Sequence, residues 1–233
     1  MKRITTEGKG LDDLALIEEA LAPPAPGQLR LSMMAMTINP ADLLMLEGRY
    51  GVRPRRAFTP GAEGVARVAD LGPDVEGVSV GDLVIPMAGQ AWCDEMNVDA
   101  RAVIALPPGT DLDQTAMLKA NPATALVMLS ELRALEPGAR VIQNAANSAV
   151  GRNVIAIGRE LGLEIVNVVR REGAADELRE TTGAGEVIVG PPGPEVAPCA
   201  LALDAVGGAA TAALAARLED GGTVATYGLL SGE

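Results

Sequence analysis

The sequence contains no histidine and very few aromatic residues. Without an imidazole the chain cannot form a Ser-His-Asp triad, a Cys-His pair or an HExxH zinc site, because each of these needs that side chain. One Trp, one Phe and two Tyr are spread over 233 residues, so an aromatic side chain near a site is informative through its rarity. Any acid–base chemistry must therefore use a group other than imidazole.

Cysteines and long apolar runs are also scarce. Cys93 and Cys199 lie far apart with no CxxC spacing, which suits a reducing compartment and a space-filling role. The first residues, MKRITTEGKGLDDLALIEEA, include basic side chains but no apolar run behind them, and no window approaches the ~18 apolar residues of a membrane span. We therefore predict a cytoplasmic protein with no membrane partner.

Basic residues are outnumbered, with 19 Lys and Arg against 31 Asp and Glu and a net charge of -12. Such a chain repels a polyphosphate backbone and an anionic lipid surface. The charge therefore argues against nucleic acid or an anionic membrane as the main partner.

The first part of the chain, residues 1–115, is rich in Gly, Pro and short β-branched runs, which predicts a strand-dominated domain. The stretch 11–23 fits either a helical or a strand period, and we favour the strand. A helix is predicted at 39–46, where Asn39 occupies a capping position, Pro40 follows it and an acidic residue lies in the first turn.

The second part, residues 116–233, alternates helices with short Val- and Ile-rich strands. It begins with a helix at 121–135 and ends with a helix at 209–222 and a strand at 223–228. Strands without polar alternation are what a sheet buried on both faces requires. The pattern predicts an α/β doubly wound parallel sheet.

The turn between the first strand and helix of this sheet is similar to a dinucleotide-binding turn that has lost glycines. The three positions of G-x-G-x-x-G are Ala146, Ser148 and Gly151. Ser148 can cap the helix and offer a hydroxyl to phosphate, and Asn144 and Asn147 add amide donors. The alternative is an ordinary strand–helix connection with Ser and Asn caps.

The second strand of the unit ends in Arg170 and Arg171, about twenty residues beyond the turn. An acidic residue at this place binds a ribose 2'-hydroxyl, and an arginine accommodates a 2'-phosphate. The pair therefore favours NADP over NAD, although the neighbouring Glu172 tempers the charge. The alternative is a solvated arginine pair at a strand end.

The segment VIQNAANSAVGRNVIAIGRELGLEIVNVVR resembles the cofactor-binding segment of the zinc-independent medium-chain dehydrogenase/reductases, and specifically of the trans-2-enoyl thioester reductases of the mitochondrial type. The resemblance extends to TINPADLLMLEGRYGVRP (37–54), PGAEGVARVADLG (60–72), LKANPATALVML (118–129) and TVATYGLLSG (223–232). It implies a GroES-like β-rich domain at 1–115 and a Rossmann domain at 116–233, in an enzyme that reduces the 2,3 double bond of trans-2-enoyl thioesters with NADPH.

Site residues follow from the same resemblance. It implies Tyr50 as the proton donor to Cα, Asn121 beside the nicotinamide and the thioester, and Trp92 near the substrate pocket. The cofactor-binding residues that it implies are Asn147, Ser148, Ala149 and Val150 for the pyrophosphate, Arg170 and Arg171 for the 2'-phosphate, and Tyr227 and Gly228 for the nicotinamide end. Hydride would add to Cβ, and a phenol, being protonated at neutral pH, suits the proton donor.

Each implied role has a plainer alternative. Tyr50 could cover the core at a helix end, Trp92 could be a packing residue, and Asn121 could serve as a helix cap. The four arginines of GRYGVRPRR (48–56) could be a solvated loop. Interpreted functionally, they form a positive rim suited to the phosphates of CoA or to an acidic acyl carrier protein.

Two departures from related sequences bear most on the expected function. Ala62 stands where related zinc enzymes carry histidine, so no metal is expected. Relatives continue beyond the loop at 223–232, so the Rossmann sheet is expected to be truncated after its fifth strand and a homodimer is left open. Two other functions therefore remain: an NADPH quinone or enone reductase of the same superfamily, and a non-catalytic NADPH-binding protein.

Overall fold

The computed structural model of the chain describes residues 1–51 and 57–232. The chain divides into two units, Met1–Ala120 and Asn121–Glu233. The change in sequence texture near residue 116 lies a few residues before this division.

The first unit is built around antiparallel sheets. Its elements are β1 (Lys2–Thr5), β2 (Ala15–Glu18), β3 (Gln28–Met36), α1 (Pro40–Leu46), β4 (Gly64–Leu71), β5 (Leu83–Pro86), β6 (Glu95–Asp99), β7 (Val103–Ala105) and α2 (Leu112–Thr115). Strands β1 and β2 form an antiparallel pair, and the larger sheet has the order β6-β3-β4-β5-β7. Leu29 and Leu31 of β3 pack with alternate residues of β4 to form the core, as a half-buried sheet requires.

Two local predictions for this unit can be compared with the structure. The ambiguous stretch 11–23 contains a short 3-10 helix at Leu11–Asp13 and the strand β2, so the preference for a strand is confirmed for Ala15–Glu18. Helix α1 begins at Pro40, directly after Asn39 as predicted. The Asn39 amide, however, donates to Thr37 and Glu63, and the Asp42 carboxylate accepts the Asn39 backbone N–H at 2.8 Å.

The second unit is a parallel five-stranded sheet with helices, as predicted. Its elements are α3 (Asn121–Ser130), β8 (Arg140–Gln143), α4 (Ala149–Glu160), β9 (Glu164–Val169), α5 (Glu172–Thr182), β10 (Glu186–Val189), β11 (Cys199–Asp204), α6 (Ala209–Ala215) and β12 (Leu218–Thr226). The strand order β10-β9-β8-β11-β12 reverses between β8 and β11. In such sheets this switch point opens a crevice beyond the carboxyl ends of the strands.

Successive residues of β8 explain why the sheet forms from an apolar run. Val141 packs with α3 and α4 on one face, and Ile142 packs with Leu214 of α6 on the other. Both side chains are fully buried. A strand covered on both faces has no solvent side, so polar alternation is absent from its sequence.

Two helix ends differ from the prediction because of contacts distant in sequence. Helix α3 ends at Ser130 rather than at 135, and just beyond it the Arg133 guanidinium donates to Glu219 and to the Gly221 carbonyl. Helix α6 ends at Ala215 rather than at 222, because Leu218 already pairs with Cys199 in the sheet. Local helical periodicity could not register either contact.

Candidate functional site

The turn after β8 leads directly into α4, and Ser148 caps that helix. Its backbone is extended (φ -71°, ψ 167°), and its hydroxyl accepts the Gly151 N–H at 3.1 Å. In the described part of the chain no partner is found for the backbone N–H groups of Ala149 and Val150. Asn147, just before the cap, is exposed. The first turn of this 12-residue helix therefore presents free donors at the positive end of its dipole.

The same turn shows how a dinucleotide-type loop forms with one glycine. A Cβ on Gly151 would lie 2.5 Å from the carbonyl oxygen of Ala146, so only glycine permits this approach of helix to strand. The bend itself falls on Ala145, whose φ of +47° lies in the left-handed region. Alanine adopts that region at a modest cost in energy. The glycine retained in the sequence is therefore the one that packing requires.

The prediction that Asn144 offers a donor to phosphate is wrong. Asn144 is buried, its amide nitrogen donates to Asp204 at 2.6 Å, and its amide oxygen accepts the Ala205 N–H at 2.7 Å. Both ends of the side chain are thus used between β8 and β11. Asn144 fixes the two strands on either side of the switch point to each other.

Asp204, at the end of β11, organises the carboxyl edge of the sheet, and no sequence pattern predicted it. The buried carboxylate accepts hydrogen bonds from five donors: the Asn144 amide, the Val206 and Gly207 N–H groups, and the hydroxyls of Thr211 and Thr226. Burial raises the pKa of Asp204, but these hydrogen bonds outweigh it and hold the pKa below its usual value. Its partners lie up to sixty residues from Asp204 in the sequence, so no local motif reveals the cluster.

The end of β12 carries Tyr227 and Gly228, which run beside the end of β11. The Tyr227 N–H donates to the Asp204 carbonyl at 2.9 Å, and a Cβ on Gly228 would lie 2.6 Å from the Ala205 carbonyl oxygen. Burial raises the pKa of Tyr227 to about 12. Ser148 lies close enough to lower that pKa in part, yet the buried Tyr227 hydroxyl has no partner in hydrogen-bonding geometry within the described residues.

Arg170 and Arg171 follow β9, the strand next to β8. Both side chains are exposed, and neither guanidinium has a partner in the described residues. Every other arginine of the described ranges donates at least one side-chain hydrogen bond. The two uncommitted arginines thus lie at the same edge of the sheet as the free helix N-terminus.

Tyr50 lies in the first unit, just beyond the end of α1. Its backbone N–H donates to the Leu44 carbonyl, and Gly48, with φ +66°, ends the helix before it. The side chain is 39% exposed, and no partner for its hydroxyl is found among residues 1–51 and 57–232. Of the predicted basic rim, Arg53, Arg55 and Arg56 lie outside the described residues.

Trp92 is held in place by residues distant in sequence. Its indole N–H donates to the Thr37 carbonyl at 2.8 Å, and its backbone N–H donates to the Pro60 carbonyl. A Cβ on Gly61 would lie 2.4 Å from the indole ring, so the Gly61 backbone packs directly against it. The side chain is half-buried. Trp92 is therefore fixed against the 61–63 turn.

A buried charged cluster in this unit was not foreseen from the sequence. Glu63 is fully buried and accepts from Asn39 and from the Ala120 N–H, while Asp42 accepts from the backbone N–H groups of Asn39 and Ala62. Burial raises the pKa of Asp42, and the charge of Glu63 adds to this effect. Burial lowers the pKa of the nearby Lys119, which Glu63 and Asp42 oppose.

Asn121 is the first residue of α3 and is buried. The prediction placed it one position earlier, as the cap before the helix, and such a difference is within the usual uncertainty of a helix end. The predicted site residues thus fall into two groups. The strand ends of the second unit gather residues 147–150, Arg170, Arg171, Tyr227 and Gly228, whereas Tyr50 and Trp92 belong to the first unit.

A cavity of about 490 Å³ opens at the other edge of the parallel sheet, among the amino ends of its strands. Its polar rim is internally paired, because Arg140 bridges Glu164 and Glu186 at 2.8 Å and 2.7 Å. It lies away from the switch point and contains none of the predicted site residues. We therefore take the carboxyl edge as the candidate site.

Comparison with known proteins shows which families the chain resembles. Residues 25–120 match the model of the alcohol dehydrogenase GroES-like domain. The chain is 35% identical over 238 residues to the mitochondrial enoyl-[acyl-carrier-protein] reductase of Xenopus tropicalis, covering 96% of this chain and 68% of that protein. It is 39% identical to the Homo sapiens protein of the same name, covering 89% of this chain and 60% of that protein.

Solved structures give the same picture. A putative NADPH:quinone reductase from Bacillus thuringiensis matches with a TM-score of 0.90 and 28% identity, covering 99% of this chain and 73% of that one. A complex of Etr1p with NADP and crotonyl-CoA matches with a TM-score of 0.85 and 27% identity, covering 99% and 75%. This chain thus spans about three-fifths to three-quarters of the proteins that it resembles.

One prediction fails on this comparison. The expected cytoplasmic location is wrong, because the similar curated proteins carry the word mitochondrial in their names. The polar N-terminal residues did not report the compartment. Within the described residues, no helix is long and apolar enough to cross a membrane.

Proposed function

The chain belongs to the family of the mitochondrial enoyl-[acyl-carrier-protein] reductases, and from this membership we propose that it is an oxidoreductase that reduces the 2,3 double bond of trans-2-enoyl thioesters with NADPH. Because the chain spans only part of its relatives' length, the activity and its substrates remain proposals for this chain.

The free donors at the carboxyl edge of the parallel sheet are the observation that supports this proposal most. The uncapped N–H groups of Ala149 and Val150, with the exposed Asn147 beside them, suit a diphosphate at a helix N-terminus. Arg170 and Arg171, without partners in the described residues, suit a 2'-phosphate at the neighbouring strand end. The residues present therefore fit NADPH.

The nicotinamide end is assigned to Tyr227 and Gly228. The close approach of Gly228 to Ala205 leaves no room for a side chain, and the buried Tyr227 hydroxyl has an unused hydrogen-bonding capacity beside Ser148. We assign Asn121 to the same end and to the thioester. When bound, NADPH supplies the hydride that adds to Cβ of the unsaturated thioester.

Tyr50 is the proposed proton donor. A phenol stays protonated at neutral pH, and the Tyr50 hydroxyl has no competing partner in the described residues. Hydride addition to Cβ builds up negative charge on the thioester oxygen. The Tyr50 hydroxyl can then give its proton to Cα, which neutralises that charge. Trp92, fixed against the 61–63 turn, is proposed to line the substrate pocket.

The acyl carrier is either CoA or an acyl carrier protein. The solved Etr1p complex contains crotonyl-CoA, whereas the curated relatives are named for acyl carrier protein. The arginines that follow Tyr50 closely in the sequence would attract the phosphates of CoA or the acidic surface of a carrier protein equally well. Measuring turnover of the same acyl group as its CoA thioester and as its acyl carrier protein thioester would distinguish the two carriers.

A second candidate function is NADPH-dependent quinone or enone reduction. The structural match with a TM-score of 0.90 to a putative NADPH:quinone reductase favours it. Such a reaction would use the same phosphate-binding groups but would not need a proton from Tyr50. A protein that binds NADPH without turnover is the third outcome.

The deciding experiment follows NADPH oxidation with crotonyl-CoA and with a quinone, in the unaltered protein and in Tyr50→Phe. We expect crotonyl-CoA turnover to fall by roughly 10² in kcat in the variant, since general acid catalysis contributes about that much. NADPH affinity should stay unchanged, which serves as the folding control. Equal crotonyl-CoA turnover in both proteins would remove Tyr50 as donor, and quinone turnover alone would establish the second candidate.

Cofactor choice is tested separately by titrating NADPH and NADH into Arg170→Ala, Arg171→Ala and a control, Arg101→Ala. Arg101 is an exposed arginine paired with Asp99 in the first unit, so its loss changes the net charge as much as either single substitution does. We expect the preference for NADPH to fall by about tenfold or more in the double variant at 170 and 171, as a charge-assisted phosphate contact is lost. An unchanged preference would refute the assignment of the 2'-phosphate.

A further inference from the structure

Lys119 has no role in the proposed reaction, yet its ammonium is held by the backbone of two distant segments. Its Nζ donates to the Ala62 carbonyl at 2.6 Å and to the Met87 carbonyl at 3.2 Å. The side chain is only partly exposed. Lysine ammonium groups are strongly hydrated and seldom give up water without compensation, so this placement needs a reason.

The negative charges of Asp42 and Glu63 compensate the Lys119 ammonium for the water that it gives up. Both carboxylates are buried, at 3% and 0% exposure. The charge of Glu63 raises the pKa of Asp42, and both charges act on Lys119 through space. Neither is within ion-pair distance of the ammonium, and their oxygens accept hydrogen bonds from other groups, including the Asn39 amide and the Ala120 N–H. Two buried like charges are unfavourable without a cation nearby.

The segments that this cluster joins are those next to the proposed site residues. Asp42 and Lys119 hold the Ala62 N–H and carbonyl respectively, so residue 62 is fixed at both ends. The preceding residue, Gly61, packs against the Trp92 indole. Glu63 also binds Asn39, directly before the helix α1 that leads to Tyr50.

We propose that Lys119 is a positioning residue whose ammonium serves as an internal cation: it offsets the charge of the Asp42 and Glu63 carboxylates and fixes the 61–63 turn against Trp92. The two carbonyl oxygens that accept its hydrogen bonds, with the two carboxylates acting on it through space, form a site for a small monovalent cation, which the lysine side chain fills. The part of this inference that concerns turnover rests on the proposed function, whereas the cation site does not.

The test removes the lysine and supplies a cation in its place. In Lys119→Ala we expect the thermal midpoint to fall by about 5 to 10 °C near pH 8, because the buried Asp42 and Glu63 carboxylates lose a nearby positive charge. The loss should be smaller at lower pH, because burial raises the pKa of Asp42 and its carboxylate takes up a proton more readily. The charges that act on Asp42 are those of Glu63 and Lys119.

Chemical rescue distinguishes a cation site from simple loss of packing. Ammonium or methylammonium chloride should restore at least a third of the lost thermal midpoint, whereas tetramethylammonium chloride at equal concentration should not, because it cannot donate to the two carbonyls. Lys9→Ala is the matched control, since Lys9 is an exposed ammonium paired with Glu7. Equal effects of the two salts on Lys119→Ala, or a deficit independent of pH, would overturn the proposal.

Two further measurements keep the outcome decisive. If Lys119→Ala does not fold, Lys119→Gln supplies a neutral donor to the carbonyls, and it should still show the larger deficit near pH 8. In the crotonyl-CoA assay, Lys119→Ala should lose about tenfold to a hundredfold in kcat/KM and regain part of it with methylammonium. Absence of turnover in the unaltered protein would count against the proposed function alone, because the thermal rescue is measured without substrate.

Discussion

Both units bury carboxylates, and they stabilise them in different ways. In the parallel-sheet unit, Asp204 is surrounded by neutral donors, and its pKa is lowered. In the antiparallel unit, Asp42 lies near a second carboxylate and its pKa is raised, with the ammonium of Lys119 close by. The comparison contrasts a lone buried carboxylate, which hydrogen bonds from neutral donors stabilise, with a pair of buried carboxylates that lies near a cation.

Topology explains this difference. The carboxyl ends of parallel strands meet at one edge, so the ends of β8, β11 and β12 bring an amide, a hydroxyl and two backbone N–H groups to Asp204. In the antiparallel sheet, strand ends point in alternate directions, and the donors around Asp42 and Glu63 come from loops instead. Asp42 accepts two backbone N–H groups, against five donors at Asp204, and the charge of Lys119 lies close by.

The largest effect is expected from removing the acceptor at the parallel edge. Asp204→Leu leaves five buried or partly buried donors without a partner, so the free energy of unfolding should fall by about 3 to 5 kcal/mol. Urea unfolding followed by circular dichroism measures it. Asp204→Asn keeps an oxygen for part of the cluster and should lose less. The exposed Asp220→Asn should change stability little, and an equally small change in Asp204→Leu would break the comparison.

Tyr227 gives the next largest effect, at alkaline pH. Its pKa is about 12 in the folded protein and about 10 when exposed, so its contribution is complete below pH 10 and is lost as the pH rises towards 12. Relative to Tyr227→Phe, the unaltered protein should therefore lose up to about 2 to 3 kcal/mol of unfolding free energy over that range. If the unfolding free energies of the two proteins changed with pH in the same way, the Tyr227 hydroxyl would be solvated in the folded protein.

Two helical glycines provide a matched pair with opposite expected signs. Gly151→Ala places a Cβ against the Ala146 backbone and should cost about 1 to 3 kcal/mol. Gly173→Ala, in α5, meets nothing within 4 Å and should gain up to about 1 kcal/mol from helix propensity. Denaturant unfolding of both variants measures the difference. A neutral Gly151→Ala would mean that α4 can move away from the turn after β8.

The smallest effect is a difference in how the unfolding free energy depends on pH in the acid range. It tests the comparison between Asp204 and Asp42 most directly. The lowered pKa of Asp204 gives a stability that is present above its unfolded value of about 3.8 and is lost as the pH falls. The raised pKa of Asp42 gives a stability that is present below that value and is lost as the pH rises. Against Asp204→Asn and Asp42→Asn, unfolding free energies should therefore show opposite slopes, and slopes of the same sign would contradict the contrast.

Local patterns predicted much of the fold. The Val- and Ile-rich strands, the cap at Ser148 and the start of α1 after Asn39 were all visible in the sequence, because each depends on residues within one or two turns. The early ends of α3 and α6 were not, since they depend on pairing with distant residues. The roles proposed for Tyr50, Asn121 and Trp92 stay predictions until they are measured.

The hydrogen-bonding role of Asn144 shows where local reasoning about the site stops. Its position in the turn suggested a phosphate donor, but Asp204, sixty residues away, takes that amide. Lys119 likewise carried no local signal, because its partners are the carbonyls of Ala62 and Met87.

By itself the sequence determined the alternation of helices and strands in the second unit, the doubly wound parallel sheet and the place of the single glycine that the turn after β8 needs, because periodicity, capping and the lack of a Cβ act over a few residues. Only the tertiary structure decided which polar groups are used up inside the protein and which stay free for a ligand. A buried donor takes whichever acceptor the fold brings to it, and that choice depends on segments far apart in the chain.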